Sequence, residues 1–149
     1  MRIPMRVDYG VRALVDLALQ VQGDRPVRTA EIAGRQGIPE PFLARVLHTL
    51  HRHGLTESQR GPQGGHSLAK DASEITMGMV MRHLEGPLHL VTCLDDTSSC
   101  EKSPNCGQQG IWRDVEEAMS RVLDSTSIAD LVERGRFMKK ELSETLPIV

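Results

Sequence analysis

Aromatic side chains are scarce in this sequence, with one Trp, one Tyr and two Phe among 149 residues. Whatever core it forms must be assembled mainly from Leu, Val, Ile, Ala and Met. No apolar run comes close to the ~20 residues that a membrane-spanning helix requires, so no such span is expected. The opening MRIPMRVDYG has no apolar stretch of the secretory type, which makes a cytoplasmic location the expectation. There is no internal repeat, no low-complexity segment and no strong net charge, the total being −2. Cysteine is confined to CLDDTSSCEKSPNC, residues 93–106, which holds all three. An odd count in a reducing compartment argues against a disulfide framework.

The near-neutral total hides a division. Residues 1–70 carry 10 Lys and Arg against 6 Asp and Glu, a net +4, whereas residues 71–149 carry 8 against 14, a net −6. A basic front half joined to an acidic rear half suits a protein whose front end meets a polyanion. The length allows one domain with a modest core, or a small domain with an added assembly element.

The front half reads as helix, helix, turn, helix, hairpin. In VDYGVRALVDLALQ the apolar Val7, Val11, Leu14, Val15, Leu17 and Leu19 recur at helical spacing. RTAEIAGRQG predicts a short helix capped by Thr29 and ended by Gly37. IPEPFLARVLHTLHRHG opens with Pro39 and Pro41, which a helix accepts only in its first turn, and closes at Gly54. Leu43, Val46, Leu47 and Leu50 share one face of that helix, and Pro41, Arg45, His48, Thr49 and Arg52 share the other. Such a stripe, after a short helix and a glycine turn, is the arrangement of a recognition helix; taken alone, it also fits an ordinary amphipathic surface helix. LTESQRGPQGGHSLAKD supplies the deciding context: a strand, a Gly/Pro turn edged by Arg60, and a return strand. A glycine-rich tip lets backbone approach a phosphate, and an arginine beside it can enter a minor groove. The expected partner is double-stranded DNA. Its contact set is Thr29, Pro41, Arg45, His48, Thr49 and Arg52 from the helices, with Arg60, Gly61, Gln63 and Gly64 from the wing.

Behind the wing, EITMGMVMRHLEGPL predicts a helix that buries Ile75, Met79, Val80 and Leu84. After the cysteines, GIWRDVEEAMSRVLDSTSIADLVERG predicts a long helix with Ile111, Val115, Met119, Val122 and Leu123 on one stripe. Ser127 and Asp130 then make an S-x-x-D start for a second, short helix. A long helix with one apolar stripe suits pairing with its twin in a homodimer; packing back on its own domain is the alternative. The fold class expected is mainly α: a winged helix-turn-helix with a small β-hairpin wing, plus a long C-terminal dimerisation helix. The expected division is residues 1–84 as the winged region with its following helix, 85–109 as the cysteine loop, 110–135 as the dimerisation helices and 136–149 as a frayed or loosely docked tail. No substrate pocket or catalytic dyad is suggested, so an enzyme is not expected.

Thiolates are soft ligands that suit iron–sulfur clusters or zinc. Structural zinc sites favour cysteine pairs two to four residues apart, whereas here six residues separate Cys93 from Cys100 and five separate Cys100 from Cys106. A flexible loop with those spacings wraps something larger than one ion. Free cysteines are normally buried among apolar groups, but these stand among Asp95, Asp96, Glu101 and Lys102. A zinc site, a thiol switch and unliganded cysteines are the alternatives to a cluster.

From MRVDYGVRALVDLAL through RGPQGGHSLAKDASEITMGMVMRHLEGPL and the cysteine loop to IWRDVEEAMSRVLDSTSIADLV, the sequence resembles the bacterial IscR/NsrR-type transcription factors of the Rrf2 superfamily. The wing-to-helix segment and the three-cysteine loop carry the likeness most specifically. The resemblance implies a homodimeric winged-helix repressor, acting at a palindromic operator, whose Cys93, Cys100 and Cys106 hold an iron–sulfur cluster. IscR-like members place a histidine three residues after the last cysteine, and this chain has Gln109 there. NsrR-like members carry an aspartate near the start of the first helix, where this chain has Asp8. That makes Asp8 the favoured fourth ligand, against its other reading as a helix cap; His83 and His89 are the fallbacks. His48, His51, His53 and His66 belong to the DNA-binding part. The middle cysteine spacing is one residue longer than in those relatives. The expectation is a repressor sensing nitric oxide or redox stress through a 4Fe–4S cluster. The alternatives are a 2Fe–2S regulator of cluster biogenesis or iron supply, and a small iron–sulfur electron-transfer protein.

Overall fold

The first helix, α1 (Met5–Leu19), organises the molecule because two of its faces are apolar. The computed structural model describes residues 2–21, 25–103 and 105–145. After α1 come α2 (Thr29–Gln36), α3 (Glu40–Arg52), the hairpin β1 (Thr56–Gln59) and β2 (Gly65–Leu68), and α4 (Met77–Glu85). A single-turn helix α5 (Thr92–Asp95) precedes the long α6 (Gly107–Asp124) and α7 (Ile128–Thr145). Short 3-10 turns lie at Ala72–Glu74 and Thr97–Ser99.

One core joins Val7 and Leu14 of α1 to Val46 and Leu50 of α3, Val80, Met81 and Leu84 of α4, and Ile128 of α7. A second joins Ala13 and Leu17 of α1 to Ile32 and Ala33 of α2, Ile38, and Leu43 and Leu47 of α3. Thus α1 and α3 each contribute to both cores, which fixes the helix-turn-helix against its support. Gly10 lets this happen: a Cβ there would run into Leu84 Cδ1, so α1 and α4 meet too closely for any larger residue to fit without repacking. The turn between α2 and α3 bends at Gly37, whose φ of 61° is the left-handed region that glycine enters at little cost.

Helix α4 begins where the Thr76 hydroxyl accepts from the Met79 amide at 3.2 Å. That start brings Gly78, Val80, Met81 and Leu84 to the buried side, while Met79 is only half-buried. The expected burial of Met79 is therefore corrected in favour of Met81. Ile75 just ahead of the helix is fully buried, and its carbonyl accepts the Ile128 amide at 2.8 Å. This bond brings the start of α7 back onto the winged region. Ser127 and Asp130 cap α7 reciprocally, at 2.8 and 3.1 Å. The helix then runs on to Thr145, which corrects the short second helix expected; residues 136–143 are helical and exposed. Arg, Met, Lys, Glu and Leu dominate that stretch and are good helix formers, which outweighs the one glycine at 135. Residues 146–149 lie outside the described residues.

Helix α6 leans on α4 through the Arg82–Asp124 ion pair at 2.8 Å. Its stripe is otherwise only partly covered. Val115, Met119 and Leu123 are half-buried, but Ile111 is 61% and Val122 64% exposed.

Candidate functional site

Two surfaces carry the residues that the sequence singled out. On the first, α3 buries Leu43, Val46, Leu47 and Leu50 and exposes Pro41, Arg45, His48 and Arg52. Thr49 is half-buried, and its hydroxyl donates to the Arg45 carbonyl at 3.1 Å. Among the described residues Arg45, Arg52 and Arg60 enter no ion pair, so no described carboxylate neutralises their charge.

The wing is an antiparallel pair with Thr56 opposite Leu68 and Gln59 opposite Gly65. Arg60, Gly61 and Gln63 are exposed at its tip, and Gly61 has a φ of 104°. Gly64 is buried instead: its amide donates to Gly61 O at 2.9 Å, and a Cβ would overlap the Gln59 carbonyl. It shapes the turn from within.

Backbone bonds between Val27 and His66, at 2.8 and 2.7 Å, tie the wing to the approach to α2. The Arg28 guanidinium adds a bond to the Pro62 carbonyl. This tie holds Arg28 extended, so Arg28 takes the cap position and its amide is bound by Glu31 at 2.9 Å. Thr29 is therefore the first helical residue, which corrects the capping role expected of it. The Thr29 hydroxyl lies 3.1 Å from His66 Nε2. Burial, with a contribution from His51, holds the His66 imidazole below its ordinary pKa.

The cysteines form the second surface. Cys93 lies in α5, Cys100 follows the 3-10 turn, and Cys106 stands at the N-cap of α6; all three are half-buried. Asp96 accepts from the Ser98 amide at 2.9 Å and hydroxyl at 2.7 Å, which folds the loop and holds that carboxyl below its usual range. Gln109 Nε2 donates to the Cys93 carbonyl at 3.0 Å and to Ser103 Oγ at 3.2 Å. The His89 ring lies between Asp95, at 3.5 Å, and Glu116, at 3.4 Å. His83 stacks on His53 with ring centroids 4.5 Å apart, so its ring faces the end of α3.

Asp8 is exposed in the first turn of α1 and makes no capping bond; its carboxylate is 3.5 Å from Arg12. The cap position is Pro4. Arg12 also donates to the Gln36 carbonyl, beside the bend at Gly37. Among the described residues no three His, Cys, Asp or Glu side chains converge to hold a metal ion. The donor set suits an iron–sulfur group by its chemistry, since three half-buried thiols share one loop. Gathering them requires the loop to close further.

Asp16, Arg35 and Glu116 were not legible in the sequence, and Gln109 stood out only as the residue at the expected histidine position. Asp16 is buried in α1 and is held by Arg35 at 2.7 Å and by Gln36 at 3.0 Å. Its signal was a carboxylate between Val15 and Leu17, on a helix otherwise set for burial.

A helix-turn-helix with a braced wing and a bare basic face defines a winged-helix transcription regulator. The chain belongs to the Rrf2 family, described as iron-dependent transcriptional regulators, with residues 3–134 matched. It is 36% identical over 132 residues to the HTH-type transcriptional regulator IscR of Serratia proteamaculans (strain 568), spanning 89% of this chain and 79% of that protein. The IscR of Yersinia pestis gives the same identity and coverage. CymR, the global cysteine regulator of B. subtilis, superposes with a TM-score of 0.75 at 30% identity, over 90% of this chain and 98% of CymR. T. potens IscR superposes with a TM-score of 0.69 at 30% identity, over 100% of this chain and 94% of that one. These relatives are transcriptional regulators rather than enzymes. No described helix is long and apolar enough to cross a membrane.

Proposed function

We propose that this chain is a homodimeric repressor of a palindromic operator, sensing nitric oxide or redox stress through a 4Fe–4S cluster on Cys93, Cys100, Cys106 and Asp8. The observation that carries the reading is the placement of all three thiols on one loop that runs directly into α6. When bound, a cluster would supply iron that reacts with nitric oxide or an oxidant. The three cysteines would hold it, and Asp8 would complete the set from the facing protomer. Pairing is supported by the exposed Ile111 and Val122 on α6, an apolar stripe its own chain leaves partly open. Asp8 is supported as a ligand because it is exposed and does not cap its helix. A change in what Asp8 binds would reach Arg12, and through Arg12 the carbonyl of Gln36 at the helix-turn-helix bend. Pro41, Arg45, His48, Thr49 and Arg52, with Arg60, Gly61 and Gln63 of the wing, would meet the DNA. Thr29 and Gly64 would support them by holding and shaping the wing.

A 2Fe–2S regulator of cluster biogenesis or iron supply is the second reading, favoured by the identity with proteins named IscR. Against it, Gln109 stands where the IscR-like pattern implied by the resemblance has a histidine, and its amide is committed to Cys93 and Ser103. Iron and sulfide per chain after anaerobic purification separate the two: about four of each for the first reading and about two for the second. Asp8→Ala is expected to alter the Mössbauer spectrum of the first form. A wild-type spectrum in that variant would remove Asp8 from the ligand set and bring forward His89 or His83.

A further inference from the structure

Taking the cysteine loop as a cluster site, we infer that Gln109 and Glu116 are positioning residues that clamp the segment around Cys93 onto α6. They lie seven residues apart, close to two helical turns, and so share one side of the helix. Gln109 is buried, and a buried carboxamide is costly unless its hydrogens are bonded. Nε2 reaches the Cys93 carbonyl at 3.0 Å and Ser103 Oγ at 3.2 Å, so one side chain joins both limbs of the loop. Glu116 grips the same segment nearer its start, accepting from the Leu90 amide at 3.2 Å and facing His89 Nδ1 at 3.4 Å. Helix α5 is a single turn, which has no independent stability. These two grips therefore help to fix its position along α6. Cys93 is set relative to α6 before any cluster is present, and a displacement of either is felt by the other.

The test uses the full chain, first cluster-free and then as purified anaerobically. Gln109→Met and Gln109→Glu keep the side chain's length but remove its two donated hydrogens. Glu116→Leu removes the acceptor, whereas Glu116→Gln retains one for the Leu90 amide. In the cluster-free protein, exchange of the Leu90, Leu94 and Asp96 amides is expected to accelerate about three- to tenfold in the first three variants, the loss of one net hydrogen bond. Glu116→Gln should stay near wild type, and exchange in α1–α4 should be unchanged in all four. In the loaded protein, iron release to a chelator should accelerate in the same order. Unchanged loop exchange in Gln109→Met, or equal acceleration in Glu116→Gln and Glu116→Leu, would overturn the clamp. A wild-type chain that takes up no iron would defeat the cluster reading alone, because the exchange comparison involves none.

Discussion

Arg35→Ala is expected to destabilise the winged region although Arg35 lies outside both proposed sites. Its partner Asp16 is 2% exposed, and the carboxylate receives Arg35 Nη2 at 2.7 Å, Arg35 Nε at 3.0 Å and Gln36 Nε2 at 3.0 Å. Removing one member of a fully buried ion pair costs about 3–5 kcal/mol. Two features reduce that figure here. The Arg35 side chain is 39% exposed, so water already screens it and can enter the vacated space. The bond from Gln36 also survives. The loss is then closer to that of hydrogen bonds to a charged group, about 2 kcal/mol. For a chain of this length that corresponds to a Tm lower by roughly 4–8 °C. Urea denaturation followed by far-UV circular dichroism measures the change, with a double-mutant cycle to isolate the pair. Arg35→Leu combined with Asp16→Leu should recover much of the loss, because no uncompensated charge remains in the interior. An Arg35→Ala variant within about 0.5 kcal/mol of wild type would show that the pair does not stabilise the winged region. So would a double variant no more stable than Arg35→Ala.

On the DNA face, Arg45→Ala is expected to cost about 1–3 kcal/mol of discrimination at one base pair. Arg60→Ala should weaken binding across operators and flatten the salt dependence; unchanged gel-shift titrations for both would discard the assigned surface. Replacing Cys93, Cys100 or Cys106 with Ala should abolish cluster assembly while the far-UV spectrum stays native, since all three lie outside the two cores; a normal iron and sulfide content would exclude the three-thiolate site. Burial holds the His66 and His83 imidazoles below their ordinary pKa, with help from His51 for the first and from His53, Arg82 and Lys70 for the second. With unfolded-state values of about 6.5, their contribution to stability is complete above that pH and is lost as pH falls through the lower folded-state values. Stability should therefore decline on acidification from about pH 7 towards pH 5, and His83→Gln should remove part of the slope; a slope identical to wild type would show that His83 does not contribute.

Elements set by local chemistry were legible in the sequence. Pro39 and Pro41 mark the entry to α3, Gly37 its preceding bend, and the Gly-rich turn the wing, because each depends only on backbone constraints. The apolar face of α3 was legible for the same reason, as a simple period. What escaped depends on a second element. Thr29 loses the cap to Arg28 because β2 pairs with Val27, a contact 39 residues away from the wing side. Met81 displaces Met79 because Thr76 sets where α4 begins. Gln109 reads as the mere absence of a histidine until the Cys93 carbonyl is placed against it. Asp8 and the cysteines are separated along the chain, and the single chain does not gather them.

In the proposed function, cluster state and operator affinity are one linked equilibrium. The most direct measurement is an anaerobic titration of the purified protein with nitric oxide, following the cluster absorption and operator binding in the same samples. Operator affinity is expected to change in step with the cluster spectrum, and a Cys93→Ala protein to show neither response. Operator binding that stays constant while the cluster spectrum is consumed would contradict it.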